Sequence, residues 1–347
     1  MTPAIPTASP DNSPGPHDRL GRPLRDLRIS VTDRCNFRCP YCMPAEVFGR
    51  DYAFLPRSEV LTFEEITRIV RIAAGLGVTK IRLTGGEPLL RRQIERLVAM
   101  IVQVDGIEIA LTTNGAALAH KARALREAGL GRITVSLDSL DEGVFQAMNG
   151  VGFPLERVLE GIGTARDAGF NPIKLNVVVK RGLNDRCLLD LARFGREHGH
   201  IVRYIEFMDV GTTNGWRLDD VVSAAEILEV IDAEFPLEPL DPHYTGEVAR
   251  RYRYRDGGGE IGLIASVSQP FCKACTRARL TADGNLFTCL FATTGHDLRT
   301  ILRASEDDGH VSAVLARVWR ERSDRYSAER SSRTSPGKRI EMSYVGG

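Results

Sequence analysis

From Leu24 to about Phe235 the chain repeats one pattern six times: a short run that alternates apolar and polar residues, then a stretch with helical spacing. Six βα units in series demand a parallel sheet, either open or barrel-shaped. The expected strands are Leu27–Thr32, Lys80–Thr84, Glu108–Thr113, Arg132–Asp138, Ile173–Lys180 and Val202–Met208. One helix is expected to start at Thr62, where Glu65 three residues on completes a capping box. Others are expected near Gln93–Val104, Leu118–Ala128, Leu155–Asp167 and Asp185–His198. Successive strand side chains point to opposite faces, so parity narrows the fold further. One face carries Leu27, Ile29 and Val31, then Ile81 and Leu83, Ile133, Val135 and Leu137, and Leu175, Val177 and Val179. The other carries Arg28, Ser30 and Thr32, then Lys80, Arg82 and Thr84, Arg132, Thr134, Ser136 and Asp138, and Lys174 and Asn176. A parallel sheet covered by helices on both sides is apolar on both. A curved sheet whose hollow side holds a polar ligand explains the asymmetry; edge strands with one solvated face are the competing explanation.

Six of the seven cysteines fall in two triplets. Cys35, Cys39 and Cys42 follow the first strand as C-x3-C-x2-C, and Cys272, Cys275 and Cys289 lie near the end as C-x2-C-x13-C. Three thiolates can hold three corners of a cubane iron–sulfur cluster, leaving one iron open. Structural zinc normally takes four Cys or His ligands, and the first triplet has no fourth candidate nearby. The second leaves zinc open, with His296 as a distant fourth ligand. Cys187 has no partner cysteine and reads as a buried core thiol. Other unusual residues also follow strands: Gly85-Gly86-Glu87-Pro88, Thr113-Asn114-Gly115, Ser136-Leu137-Asp138-Ser139 and Glu206-Phe207-Met208-Asp209. In βα barrels this end of the strands carries function.

A length of 347 residues allows one large α/β domain with an appendage. A net charge of +1 argues against nucleic acid as a partner. No run of 18 apolar residues is present, so no membrane span is expected. The N-terminus lacks a secretory signal, and its prolines read as a disordered leader over residues 1–23. Free thiols then imply the reducing cytoplasm. After Phe235 the expected elements are strands at Arg250–Arg255 and Glu260–Ser266, a hairpin over Ala278–Cys289 turning at Asp283-Gly284, and helices near Asp297–Ala304 and Val311–Glu321. The charged end, residues 331–347, reads as a mobile tail.

The first triplet, Tyr41 before its third cysteine, and GGEP after the second strand resemble the radical S-adenosylmethionine (SAM) enzymes. Within that group, SVTDRCNFRCPYCMP, RLTGGEPLLR, FMDVG, the CxxCTRARL segment with its later cysteine and the Gly346-Gly347 ending resemble the GTP 3′,8-cyclase family of molybdenum cofactor biosynthesis. The resemblance runs from about Leu24 to Gly347. It implies an α/β fold: a partial (β/α)6 TIM-like barrel over residues 24–235, with a smaller C-terminal α+β element over 236–330 carrying a second cluster. It implies two 4Fe–4S clusters, with SAM on the first and the guanine of GTP on the second. Cys35, Cys39 and Cys42 would ligate one cluster, and Cys272, Cys275 and Cys289 the other. Tyr41, Gly86, Ser136 and Met208 match positions around SAM. Arg28, Arg82, Thr113, Lys174, Arg203, Arg277, Ala278 and Arg279 match positions at GTP, with Arg277 and Arg279 as the catalytic pair. Lys80 shares the polar face as a weaker candidate. Arg203 and Met208 would face apart in an unbroken strand, so one must lie past a strand end or beside a bulge. Implied partners are GTP, an electron donor such as flavodoxin or ferredoxin, and the next pathway enzyme, cyclic pyranopterin monophosphate synthase; a homodimer is compatible. The alternative is a peptide-modifying radical SAM enzyme with an auxiliary cluster, which usually carries more C-terminal cysteines. A metal-braced RNA-binding or scaffold protein would need a basic stripe with exposed aromatics, which the composition lacks.

Overall fold

The structure, a computed structural model, describes residues 15–330 and 339–346. Strands β1 (Asp26–Ser30), β2 (Lys80–Thr84), β3 (Glu108–Thr113), β4 (Arg132–Ser136), β5 (Lys174–Val179) and β6 (Ile201–Glu206) pair in that order, all parallel. Between or after them run α1 (Phe63–Gly75), α2 (Ile94–Val102), α3 (Leu118–Glu127), α4 (Glu142–Asn149), α5 (Leu155–Asp167), α6 (Leu188–His198) and α7 (Ala224–Glu234). The capping box at Thr62 is formed in both directions, with Thr62 Oγ1 accepting from Glu65 N–H at 3.1 Å and Glu65 accepting from Thr62 N–H at 2.7 Å. Helices α4 and α7 go beyond the expected set. Each is marked by a side-chain N-cap, Asp141 and Ser223, but α4 is only eight residues long and gives a weak period.

The parity argument holds. Leu27, Ile29, Ile81, Leu83, Ile133, Val135, Leu137, Leu175, Val177 and Val179 are at most 1% exposed and form the core beneath the helices. Their burial is the main drive for the fold, each such side chain contributing roughly 1.5–3 kcal/mol. The alternate residues face the hollow side.

The C-terminal portion extends both edges of the same sheet. On one edge β9 (Glu260–Ile264) pairs parallel to β6, followed outward by β8 (Arg250–Tyr254) and β7 (Leu237–Leu240). On the other, β10 (Arg277–Leu280) pairs parallel to β1, followed by β11 (Asn285–Phe287) and β12 (His296–Asp297). The result is one twelve-stranded sheet, open at β12 and β7. The β10–β11 hairpin turns at Asp283-Gly284, where Gly284 sits at φ +84°. Helices α8 (Leu298–Ala304), α9 (Asp308–Glu321), α10 (Tyr326–Glu329) and α11 (Met342–Val345) complete the chain.

One expectation is corrected at the N-terminus. Residues 15–23, assigned to a disordered leader, are packed: Asp18 and Arg22 are buried and paired at 2.6 Å, and Trp319 Nε1 donates to the Arg22 carbonyl. Prolines alone do not prevent packing, and this segment is held by polar contacts to the end of α9. Residues 1–14 lie outside the described residues. Cys187 is buried at the start of α6, with Ser139 Oγ 3.2 Å from its sulfur. No helix among the described residues is long and apolar enough to cross a membrane.

Candidate active site

The hollow face encloses a cavity of about 600 Å³. Both cysteine triplets line it, together with Tyr41, Gly86, Ser136, Met208, Arg28, Arg82, Thr113, Lys174, Arg203, Arg277 and Arg279. Ala278 does not line it. Its side chain is 1% exposed and belongs to the hydrophobic core, because β10 alternates and its two arginine neighbours take the other face. Arg203 and Met208 both reach the cavity because β6 ends at Glu206 and Met208 lies beyond the strand.

The first triplet sits on a loop welded to the GGEP turn. Gly86 N–H donates to the Thr32 carbonyl and Glu87 N–H to the Arg34 carbonyl, both at 2.8 Å. A Cβ on Gly86 would lie 2.3 Å from the Arg34 carbonyl oxygen, so only glycine permits this contact. Glu87, which the sequence reading did not single out as a site residue, accepts from the Leu89 and Asn114 N–H groups and from Thr113 Oγ1. It thereby ties the ends of β2 and β3 together; burial pushes its carboxyl up to about 7. Asp138 does the same between the cysteine loop and the strands. Tyr41 OH donates to it at 2.8 Å, and so does Val178 N–H. Burial raises Asp138 to about 6. Buried thiols resist ionisation, and Cys35 is pushed up to about 11 by burial and by the Glu87 carboxylate. Cys39 and Cys42 are pushed up as well, burial again leading.

The second triplet has cationic surroundings. Burial opposes ionisation of Cys275, but Arg277 and Arg322 outweigh it and bring the thiol down to about 6. Arg277 Nη2 and Arg322 Nη2 lie 3.5 and 3.3 Å from its sulfur. Arg322 Nη1 also donates to the Cys275 carbonyl and Arg22 Nη1 to the Cys272 carbonyl, both at 2.7 Å. Arg22 Nη2 is a buried donor with no hydrogen-bond partner among the described residues, while Arg322 Nε stands 3.5 Å from Asp324 Oδ2. This is a donor set suited to anionic thiolates around a cluster. His296, the candidate fourth zinc ligand, shares a smaller cavity with Cys289 but not with Cys272 or Cys275. No three Cys, His, Asp or Glu side chains among the described residues converge on one ion position; a cubane needs no such point, since each thiolate holds a different iron.

The same cavity holds a field of half-buried cations whose hydrogen bonds go to neutral groups. Arg82 donates to Thr112 and Thr134 hydroxyls at 2.9 and 3.3 Å, and Arg203 to Thr134 at 3.2 Å. Lys80 donates to Tyr244 OH at 3.1 Å. Burial, then neighbouring arginines, pulls Arg28 down to about 9 and Arg82 to about 10. Lys80 and Lys174 come down to about 8 for the same reasons. Asp26, Glu108 and Glu247 act in the opposite sense but do not offset this, and among the described residues none of these four cations forms an ion pair with a carboxylate. The tail also enters here: Arg279 Nη1 donates to the Gly346 carbonyl, and Val345 is buried. Gly347 and residues 331–338 lie outside the described residues.

The Radical SAM superfamily model matches residues 29–195 and the Molybdenum Cofactor Synthesis C model residues 200–328. Solved structures share the fold at low identity. The Streptococcus suis SuiB structure bound to precursor peptide SuiA superposes with TM-score 0.62 at 17% identity, covering 86% of this chain and 65% of that one. Fold, first triplet and GGEP turn together define a radical SAM enzyme. A GTP 3′,8-cyclase of Acidothermus cellulolyticus is 56% identical over 356 aligned residues, covering 95% of this chain and 98% of its own. One from Staphylococcus haemolyticus is 49% identical with the same coverage. The chain belongs to the GTP 3′,8-cyclase family.

Proposed function

We infer that this protein converts GTP to (8S)-3′,8-cyclo-7,8-dihydroguanosine 5′-triphosphate, an early step of molybdenum cofactor biosynthesis. The observation that carries this reading is the set of half-buried cations on the hollow face that form no ion pair among the described residues, in one cavity with two cysteine triplets. When bound, the clusters and SAM supply one-electron cleavage to a deoxyadenosyl radical, removal of the C3′ hydrogen of GTP, and a ligand for the guanine. The chain supplies position and exclusion of water. Arg28, Arg82, Lys174 and Arg203 take the triphosphate, with Lys80 beside them, and Thr113 gives a hydroxyl contact. Tyr41, Gly86, Ser136 and Met208 form the SAM wall. Arg277 and Arg279 stand beside the second triplet, near the base and its radical. Ala278 acts only through its backbone, since its side chain faces the core.

A cavity lined by buried cations suits a triphosphate and does not suit an ordinary peptide, so nothing favours the peptide-modifying alternative. The electron comes from a donor such as flavodoxin or ferredoxin in the reducing cytoplasm, and the product passes to cyclic pyranopterin monophosphate synthase. Anaerobically reconstituted protein should form 5′-deoxyadenosine and the cyclic nucleotide in equal amounts when given SAM, reductant and GTP. Guanosine should support far less. Deoxyadenosine formed without any GTP-derived product would overturn the reading.

A further inference from the structure

Of the FMDVG segment only Met208 faces the cavity; the next three residues face the C-terminal tail. Asp209 is buried and accepts four hydrogen bonds. Its Oδ1 takes Arg330 Nε at 2.9 Å, its Oδ2 takes Tyr326 OH at 2.7 Å and Arg339 Nη1 at 2.9 Å, and its carbonyl takes Arg339 Nη1 at 2.8 Å. Arg330 and Arg339, nine residues apart in sequence, thus share one carboxylate. Val210 packs in a small cluster with Phe291 and Tyr326. Gly211, at φ +75°, leaves room for Glu341: a Cβ there would lie 2.1 Å from Glu341 Oε2. Glu341 in turn accepts from Thr212 N–H, Thr212 Oγ1 and Thr213 Oγ1 at 2.9, 3.0 and 2.8 Å. Five residues after Glu341, the Gly346 carbonyl accepts from Arg279, a residue that lines the cavity.

We propose that Asp209 and Gly211 are positioning residues: with Glu341 and Arg339 they form a clasp that holds the tail so that Gly346 reaches the active site. The clasp rests on the reading above only for its catalytic consequence; its mechanical part stands on the contacts themselves. The loop that presents Met208 to the cavity is thus the same loop that grips the tail.

Hydrogen exchange of the full-length, cluster-loaded protein, without SAM or GTP, tests the mechanical part. Arg339→Gln, Glu341→Gln and Gly211→Ala should each speed exchange over residues 339–347 by roughly tenfold or more, the loss expected for one buried charged contact or an equivalent clash. Arg339→Lys keeps a cation at Asp209 and should keep most of the protection. Exchange in β2 and the iron content should not change. Arg339→Gln and Glu341→Gln alter only the tail's side of the clasp and leave the barrel folded, whereas Asp209→Asn changes a buried residue of the barrel loop. Unchanged tail exchange in both would overturn the proposal. In turnover, product per deoxyadenosine should fall in the variants whose tails exchange faster and recover in Arg339→Lys. Faster exchange with an undiminished ratio would equally overturn the positioning role. A parent protein that fails to cyclise GTP at all would sink the reaction reading and leave the exchange result standing.

Discussion

Arg82→Met should make the substrate-free protein more stable while it cripples GTP binding. Burial, with Arg203 and Arg132 nearby, brings the Arg82 guanidinium down from 12.5 to about 10. That drop corresponds to roughly 3 kcal/mol of unfavourable interaction for the charged form. The sign follows from the depressed value: stability is present above the unfolded pKa and is lost as pH falls through the folded one, so at pH 7 the whole cost is in force. Methionine keeps the apolar stem and drops the charge. The change gives up two hydrogen bonds, to Thr112 and Thr134, worth about 2 kcal/mol together. The balance is a gain of about 1 kcal/mol, or a melting temperature higher by about 2 °C for a chain of this size. An ordinary truncation of a buried side chain lowers it instead. GTP affinity should move the other way. Losing one partner of a buried charged contact costs about 2–5 kcal/mol, tens- to thousands-fold. Thermal unfolding without substrate and calorimetric titration with GTP measure the two effects. A less stable variant that binds GTP as well as the parent would refute the claim that these cations are stored for an anion.

The two triplets should separate cleanly under mutation. Cys39→Ala and Cys275→Ala should each lower iron from about eight to about four per chain, but only Cys39→Ala should abolish SAM cleavage; equal loss of cleavage in both would show that the roles are not divided. Gly346→Ala places a Cβ 2.4 Å from Thr84 Cγ2 at a φ of +71°, so cyclic product should fall about tenfold or more. Adding Thr84→Ser removes the clashing methyl and should restore part of the loss; no recovery would mean the tail is not seated there. Lys174, lowered to about 8 by burial and then Arg203, binds triphosphate only as a cation. GTP affinity should therefore decline as pH rises past about 8, with proton uptake on binding. Lys174→Arg should remove part of that dependence, Lys80 at about 8 keeping the rest, and calorimetry in buffers of different ionisation heat would expose a Lys174 that does not titrate.

The residues legible in advance are those whose chemistry leaves a periodic or spaced trace. Arg28, Arg82 and Lys174 betray themselves by polar parity in strands that should be apolar, and the cysteines by spacing. Tyr41 and Gly86 are legible only through their family matches, and their contacts do more than line a ligand: Tyr41 OH bonds Asp138, and Gly86 leaves no space beside the Arg34 carbonyl. Glu87 and Asp138 left only faint signals, because a buried carboxylate that ties strand ends together looks in sequence like any turn acid. Arg22 and Arg322 left none. They act on the second triplet across 250 and 47 residues of chain, and only the folded topology brings them there. Packing of residues 15–23 was misread for the same reason, since its partners lie around Trp319 and Arg322.

The clamp at the second triplet depends on strand register more than on motif. Parallel pairing sets Arg277 beside Asp26, Ala278 beside Leu27 and Arg279 beside Arg28. Odd and even positions then sort themselves: Ala278 and Leu280 join Leu27 and Ile29 in the core, while both arginines face the cavity with Arg28. A slip of one residue would reverse every side chain, driving two guanidiniums into the apolar layer. The core therefore enforces the register, and the register delivers the guanidiniums to the cysteines. Thr276, just before β10, adds a hydrogen bond from its hydroxyl to Asp26 at 2.9 Å, and Arg25 and Asp26 N–H groups both donate to the Thr276 carbonyl. Because β10 lies beside β1, the strand that carries the second triplet's arginines is bonded directly to the strand that leads into the first triplet. Two cysteine triplets more than 200 residues apart in sequence are thus held against one cavity by a single pair of adjacent strands.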